Sequence, residues 1–251
     1  MIQIKNAAQI AIMKEAGRIT GEALCLAGEA VKEGISTKQL DDIIYNHIRK
    51  SGATPSFLGY GGFPGSACIS INDEVIHGIP SKNKIIQDGD IVKIDVGAYY
   101  KGFHGDSANT FAVGNVSDEA KRLIEAAKVS FEKGIEVAIP GNRLGDIGYA
   151  IESHVKKCGF SVVRQFVGHG IGKELHEDPS VPNYGTAGRG VRLLPGMTIA
   201  IEPMINAVGE DVKILPDGWT VLTKSGSLSA HFEHSIAVTP DGPVILTKPT
   251  I

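Results

Sequence analysis

The chain is poor in the features that mark several large protein classes. Its 251 residues include only three cysteines, Cys25, Cys68 and Cys158. With neither an even count nor a Cys-x-x-Cys spacing, a disulfide framework or zinc ribbon is excluded, and a reducing, cytoplasmic setting is expected. No stretch approaches the roughly 18–20 apolar residues that cross a bilayer, and Met1-Ile2-Gln3-Ile4-Lys5-Asn6 lacks the order of a signal peptide. Positive charge is not in excess either. The 25 Lys+Arg against 28 Asp+Glu leave a net charge of −3 and a pI near 6.2, so the basic footprint of a nucleic-acid binder is missing. No Gly-x-Ser-x-Gly elbow, P-loop or His-Glu-x-x-His occurs, which removes support for serine hydrolase, phosphoryl-transfer and zincin chemistry. Glycine and proline, 31 and 12 residues, stay below the roughly 25–30% of low-complexity chains. The glycines therefore point to many turns between strands in an ordinary globular protein.

The periodicity of apolar residues predicts a helix over residues 7–33, stopped by Gly34. Ser36-Thr37-Lys38-Gln39 has the form of a capping box that opens a second helix, ending near Lys50 and Gly52. Ser117 precedes a third helix over about 118–137, and a fourth runs from Leu144 to Cys158. Short β-rich runs such as 91–94 and 198–201 follow each helix pair. A shift of 107 residues superposes Gly34 on Gly141, His47 on His154, Gly52 on Gly159, Gly89 on Gly196 and Ile94-Asp95 on Ile201-Glu202. A shift of 92 lays residues 75–79 on 167–171. The spacing is too long for a solenoid repeat. It predicts one domain of two duplicated halves, about 1–115 and 116–251, sharing a curved antiparallel sheet with helices outside. This is an α+β architecture with a cleft at the seam.

The segment from Asp95 to Asp106 is a predicted hairpin around Tyr99-Tyr100-Lys101-Gly102. If Tyr100 and Lys101 form a two-residue turn, Asp95 lies directly opposite Asp106, and both side chains share one face. A three-residue loop would put them on opposite faces. Like charges so placed repel unless a cation lies between them, or unless the hairpin is merely solvated. The second half adds candidates. His169 lies between two glycines that permit close backbone approach. Glu202 matches Asp95 in the repeat and precedes Pro203, and Glu233 sits just before an alternating strand. Four carboxylates carry a charge of −4, which two divalent cations neutralise. One imidazole among carboxylates suits Mn²⁺, Fe²⁺, Co²⁺ or Zn²⁺ better than Ca²⁺. His47, His154 and Asp146 fall on predicted helices as satisfied or solvated groups. His104 shares a face with Asp106 and is expected at most behind the ligands.

Phe166-Val-Gly-His-Gly-Ile-Gly-Lys-Glu-Leu-His-Glu-Asp-Pro-Ser-Val-Pro-Asn-Tyr184 resembles the methionine aminopeptidases, specifically their short bacterial type I form, and the similarity extends along the whole chain. The 33 residues from His169 to Glu202 leave no room for the insertion of the type II enzymes, and no long domain precedes the first helix as in prolidases. The resemblance implies a pita-bread fold in which Asp95, Asp106, His169, Glu202 and Glu233 bind two divalent ions, with Asp106 and Glu233 bridging. It assigns His77 and His176 to substrate contact and the tetrahedral intermediate, and Glu202 also to proton shuttling. Tyr60, Phe63, Cys68, His77 and Trp219 correspond to the methionine pocket. Phe57 and Leu175 stand where other members often carry Cys and Phe. His231 stands where glutamine is expected, either as an extra donor behind the ligands or as a passive surface group. The implied activity is removal of the initiator methionine from nascent polypeptides when the second residue is small, by a cytoplasmic monomer; association with the ribosome is left open by the sequence. Two other expectations remain: an X-Pro-type peptidase of the same fold, and a non-catalytic interaction module.

Overall fold

The structure, a computed structural model, describes residues 1–250. In chain order the first half contains α1 (Ala7–Ala30), α2 (Thr37–Lys50), β1 (Thr54–Pro55), β2 (Ala67–Ile71), β3 (Glu74–Ile76), β4 (Ile91–Tyr100) and β5 (Phe103–Ala112). The second contains α3 (Asp118–Glu136), α4 (Leu144–Lys157), β6 (Ser161–Val162), β7 (Gly168–Gly170), β8 (Glu177–Val181) and β9 (Thr198–Ile201). It ends with β10 (Met204–Asn206), β11 (Val212–Ile214), β12 (Val221–Thr223), β13 (Ser229–His231), β14 (Glu233–Thr239) and β15 (Gly242–Ile245).

Local chemistry sets the helix boundaries. The Ser36 side chain accepts from the Gln39 backbone N–H, and the Gln39 side chain accepts from the Ser36 N–H, completing the predicted box. An Asn6–Gln9 box opens α1 in the same way, and Ser117 caps α3. The first helix is shorter than predicted. Val31 is already extended, at ψ 117°, so the helix ends at Ala30, three residues short of the predicted 33, and the chain leaves for α2.

Nine strands form the main sheet in the order β1-β4-β5-β14-β9-β7-β8, with β2 on β4 and β15 on β14. The strand pairs are antiparallel. Alternation along the strands divides the molecule. Val92, Ile94, Val96 and Ala98 of β4 join Ile19, Ala23, Leu40 and Ile44 in an apolar cluster beneath α1 and α2. Ile199, Ile201, Ile236 and Val238 join Leu123, Ile147 and Ile151 in its counterpart beneath α3 and α4. Helix α1 packs backbone to backbone on the sheet where Gly17 meets Gly105. A Cβ on Gly105 would lie 2.8 Å from the Gly17 nitrogen, so only glycine fits there. The residues that alternate with these core positions point to the other face.

Two further three-stranded sheets, β13-β10-β6 and β11-β12-β3, border that face. Residues 75–76 lie in or beside β3, whereas 168–170 form β7 of the main sheet. The 92-residue alignment therefore joins segments with different pairing environments. Among the described residues, no helix is long and apolar enough to cross a membrane.

Candidate metal centre

The hairpin register corrects the predicted opposition of Asp95 and Asp106. Tyr100 pairs with Phe103, so the turn is Lys101-Gly102, not Tyr100-Lys101. Lys101 and Gly102 both have positive φ, 46° and 88°, as a tight hairpin turn requires. This moves the partner by two residues. Asp95 faces Ala108, and Asp106 faces Gly97. Two is the side-chain period, so both aspartates still share a face, now as diagonal neighbours.

The row continues across the seam. Ala108 also pairs with Glu233, so a small, buried alanine separates Asp95 from Glu233. Ile201 pairs with His234, and the same register carried one residue beyond β9 sets Glu202 beside Glu233. His169, on β7 beside β9, completes the group. Its Nε2 lies 3.5 Å from Glu202 Oε1 and 3.8 Å from Asp106 Oδ2. Ligand atoms of Asp106, His169 and Glu233 all fall within 4.8 Å of one another. Backbone bonds hold the frame: Ser235 Oγ accepts from the Asp106 N–H and donates to the Asp106 carbonyl, while Asn183 donates to the Glu202 carbonyl.

Burial and mutual repulsion dominate the electrostatics. Desolvation pushes the Asp95 carboxyl up to about 7, and raises Asp106, Glu202 and Glu233 well above the ordinary carboxylate range, with their neighbours adding to the effect. Burial also drives His169 down to about 3. Among the described residues, no Lys or Arg pairs with any of the four carboxylates. Asp95 Oδ1, Asp106 Oδ1 and Glu233 Oε1 are buried without a hydrogen-bond partner. Buried oxygens left this way cost free energy unless something positive meets them. A hard or borderline divalent cation fits this donor set of carboxylates and one imidazole.

One cavity of about 140 Å³ is lined by Asp95, Asp106, His169, Glu202 and Glu233 together with Phe57, Tyr60, Phe63, Cys68, His77, Leu175, His176 and Trp219. All the site candidates from the sequence thus border the same space. Phe63 packs its ring against Trp219 at 5.1 Å. His77, held at φ 59°, meets Phe166 and Trp219 edge-on, and His176 accepts or donates at Nδ1 with Tyr60 Oη, 2.7 Å away. A backbone outlier of this kind in a non-glycine residue concentrates at functional sites.

Several groups were less visible in the sequence. His231 is not a surface group: it is 1% exposed, and its Nε2 lies 3.8 Å from Glu202 Oε2 and 3.9 Å from Glu233 Oε2. Those separations exceed a hydrogen bond, and both ring nitrogens lack a partner. Its position two residues before Glu233 signalled nearness to the centre but not burial. His104 bonds Ser56 Oγ at 2.8 Å. His47 faces Glu22, His154 contacts Cys158, and Asp146 accepts from the Arg143 and Gly188 backbones, all apart from the cavity. The three cysteines are free.

A sheet whose helix-free face gathers four carboxylates, two buried and two partly buried, and an imidazole defines a metallohydrolase centre. The sequence signature of Metallopeptidase family M24 matches residues 11–240. The chain is similar to a methionine aminopeptidase of Clostridium perfringens, with 55% identity covering 98% of this chain and 99% of that one. It also resembles the crystal structure of methionine aminopeptidase from Thermotoga maritima, with a TM-score of 0.97, 44% identity and coverage of 99% and 100%. The prolidase from Pyrococcus horikoshii OT3 gives a TM-score of 0.80 at 26% identity, over 98% of this chain but 63% of that one. The chain belongs to metallopeptidase family M24, in its methionine aminopeptidase branch. Its sheet is the pita-bread fold, and as a family member it works with divalent metal.

Proposed function

We propose that this chain removes the N-terminal methionine from newly made polypeptides whose second residue is small, acting in the cytoplasm as a monomer near the ribosome. The observation that carries this is one small cavity combining a carboxylate–imidazole cluster with an apolar wall. The substrate is a free N-terminus with one side chain to bury, and a flexible thioether suits a wall of Phe57, Phe63, Cys68, Leu175 and Trp219. Near-complete coverage of methionine aminopeptidases, against under two-thirds of the prolidase, favours this reading over an X-Pro peptidase. An interaction module would have no need of four unpaired carboxylates. The alternating order of helix pairs and strands supports two duplicated halves within one catalytic domain.

Asp95, Asp106, His169, Glu202 and Glu233 would hold two divalent ions, Mn, Fe, Co or Zn, with Asp106 and Glu233 shared between them. When bound, such ions polarise the scissile carbonyl and bring the pKa of water toward neutrality. The rest falls to the protein. Glu202, which as a ligand would be held in its carboxylate form, takes a proton from the attacking water and passes it to the leaving amine. His176 donates a hydrogen bond to the scissile carbonyl oxygen as negative charge develops on it. His77, kept neutral by burial at a pKa of about 4, bonds the substrate backbone. The aromatic wall excludes water and fixes the side chain, so the carbonyl arrives in register.

The test is release of free methionine from Met-Ala-Ser, Met-Lys-Ser and an X-Pro peptide, each in EDTA and after Mn²⁺ or Co²⁺ reconstitution. Metal-dependent cleavage of Met-Ala-Ser alone is expected. Cleavage of the X-Pro peptide instead, or metal binding without turnover of any peptide, would overturn the proposal.

A further inference from the structure

We propose that Tyr60 is a positioning residue whose hydroxyl fixes the tautomer and aim of His176, coupling occupancy of the apolar pocket to activation of the scissile carbonyl. The inference rests on the reading of His176 as the donor to that carbonyl. Tyr60 Oη lies 2.7 Å from His176 Nδ1, with ring centroids 5.2 Å apart. No other hydrogen bond to the His176 ring is found among the described residues. A neutral imidazole carries one proton, and the partner of one nitrogen decides which nitrogen holds it. With the phenol donating to Nδ1, the proton sits on Nε2, the only ring nitrogen left free to serve a substrate oxygen. With Tyr60 absent, the Nδ1–H form becomes accessible, and it presents no donor there. The hydrogen bond therefore selects the competent tautomer and restrains ring rotation.

The loop that presents Tyr60 explains the coupling. Its two ends, Phe57 and Phe63, are buried in the pocket wall. Between them the chain doubles back through left-handed glycines, Gly59 at φ 83° and Gly61 at φ 56°, and is closed by a Gly59 N–H bond to the Phe63 carbonyl. Gly61 lies against the Trp219 ring. Tyr60 itself is 45% exposed, so little beyond this loop and His176 holds it. A side chain that fills the pocket packs against the loop's buried ends and steadies the tyrosine. A side chain that leaves the pocket part-empty does not. Discrimination at the first residue then appears in kcat as well as KM, because the affected group acts on the carbonyl where charge develops. His77 differs: aromatic ring edges, with no hydrogen bond from the wall, hold its ring.

The test compares Tyr60→Phe with the native enzyme, both loaded with Zn²⁺ and labelled with ¹⁵N-histidine, and adds kinetics on Met-Ala-Ser. Native His176 should show the Nε2–H tautomer by two-bond ¹⁵N–¹H correlation. In Tyr60→Phe it should become a mixture. The kcat should fall about five- to tenfold, the worth of one neutral hydrogen bond, with KM within about twofold. An Nδ1–H tautomer in the native enzyme would overturn the proposal without any variant. So would an unchanged tautomer and an unchanged kcat in Tyr60→Phe. His176→Ala separates the two levels. If it retains native kcat, the role of His176 itself is wrong. If it loses activity while Tyr60→Phe does not, only the role of Tyr60 fails.

Discussion

At the scale of single residues, the centre depends on which side of a pleat each carboxylate occupies. Asp95 and Asp106 lie diagonally, and Ala108 opposes both Asp95 and Glu233. A small side chain at that crossing leaves room in which these carboxylates would hold a cation. Asp106→Asn keeps the volume but removes a charge that two ions would share. It should lower bound metal to at most one equivalent by elemental analysis and reduce kcat/KM by about 10²-fold or more. The residue types of the centre were legible because carboxylates at the ends of a predicted hairpin and beside strands, and a histidine between glycines, form a recognisable pattern. His231 was not, since nothing in His231-Phe232-Glu233 says that its ring is buried between Glu202 and Glu233. That follows from β13 pairing with β10, which His231 enters opposite Met204.

At the scale of elements, polar side chains and backbone pairs set where the chain turns. The Ser36–Gln39 box satisfies donors that α2 would otherwise leave open at a buried N-terminus. Ser36→Ala should cost about 1 kcal/mol, measured by urea unfolding of the metal-loaded protein. Lys93 tests the opposite case. It lies on the same face of β4 as Asp95, is 1% exposed, and its ammonium donates to the Asn72 carbonyl at 2.7 Å. Desolvation lowers its pKa to about 7. That carbonyl also accepts from the Ser229 N–H, so losing the ammonium does not orphan it. Lys93→Met, of similar length and without the buried charge, should leave stability unchanged or raise it by about 1 kcal/mol, read in the same experiment. Capping patterns are local and were visible in the sequence. The hairpin turn was displaced by one residue because Tyr99-Tyr100-Lys101-Gly102 permits either two-residue turn. The choice belongs to the register of ten paired residues on each strand.

For the whole molecule, stripping the metal exposes the conflict between buried charges and folding. Asp95, Asp106, Glu202 and Glu233 have folded pKa values raised above their unfolded ones. Their contribution is present below the unfolded values and is lost as pH rises through the folded ones. His77, His104, His169, His231 and His234 are depressed, to about 3 or 4. The unfolded chain then binds more protons as pH falls below about 6.5, so these histidines destabilise the protein on the acid side. Lys93 works against the carboxylates above pH 7, but it is one group against four. The Tm of the stripped protein should therefore be highest near pH 6 and fall toward both pH 5 and pH 8.5. Added Mn²⁺ or Co²⁺ should raise Tm most on the alkaline side, where the carboxylates are ionised. Differential scanning calorimetry across that range checks it. A stripped protein whose Tm climbs steadily to pH 8.5 would show that the carboxylates are not the controlling groups.

The sequence by itself determined what depends on near neighbours: the four helices, the Ser36 and Ser117 starts of two of them, and the residue types of the centre. It also carried the family resemblance, because a contiguous stretch from Phe166 to Tyr184 holds much of that pattern. Only the tertiary structure decided the diagonal placement of Asp95 and Asp106, the burial of His231, the bond from Tyr60 to His176 and the single cavity that joins them. Each of these depends on residues tens to more than a hundred positions apart meeting across strand pairs, or on a register that local preference leaves degenerate. Pairing free energy summed over a whole sheet, with one face required to bury its apolar side chains, resolves that degeneracy.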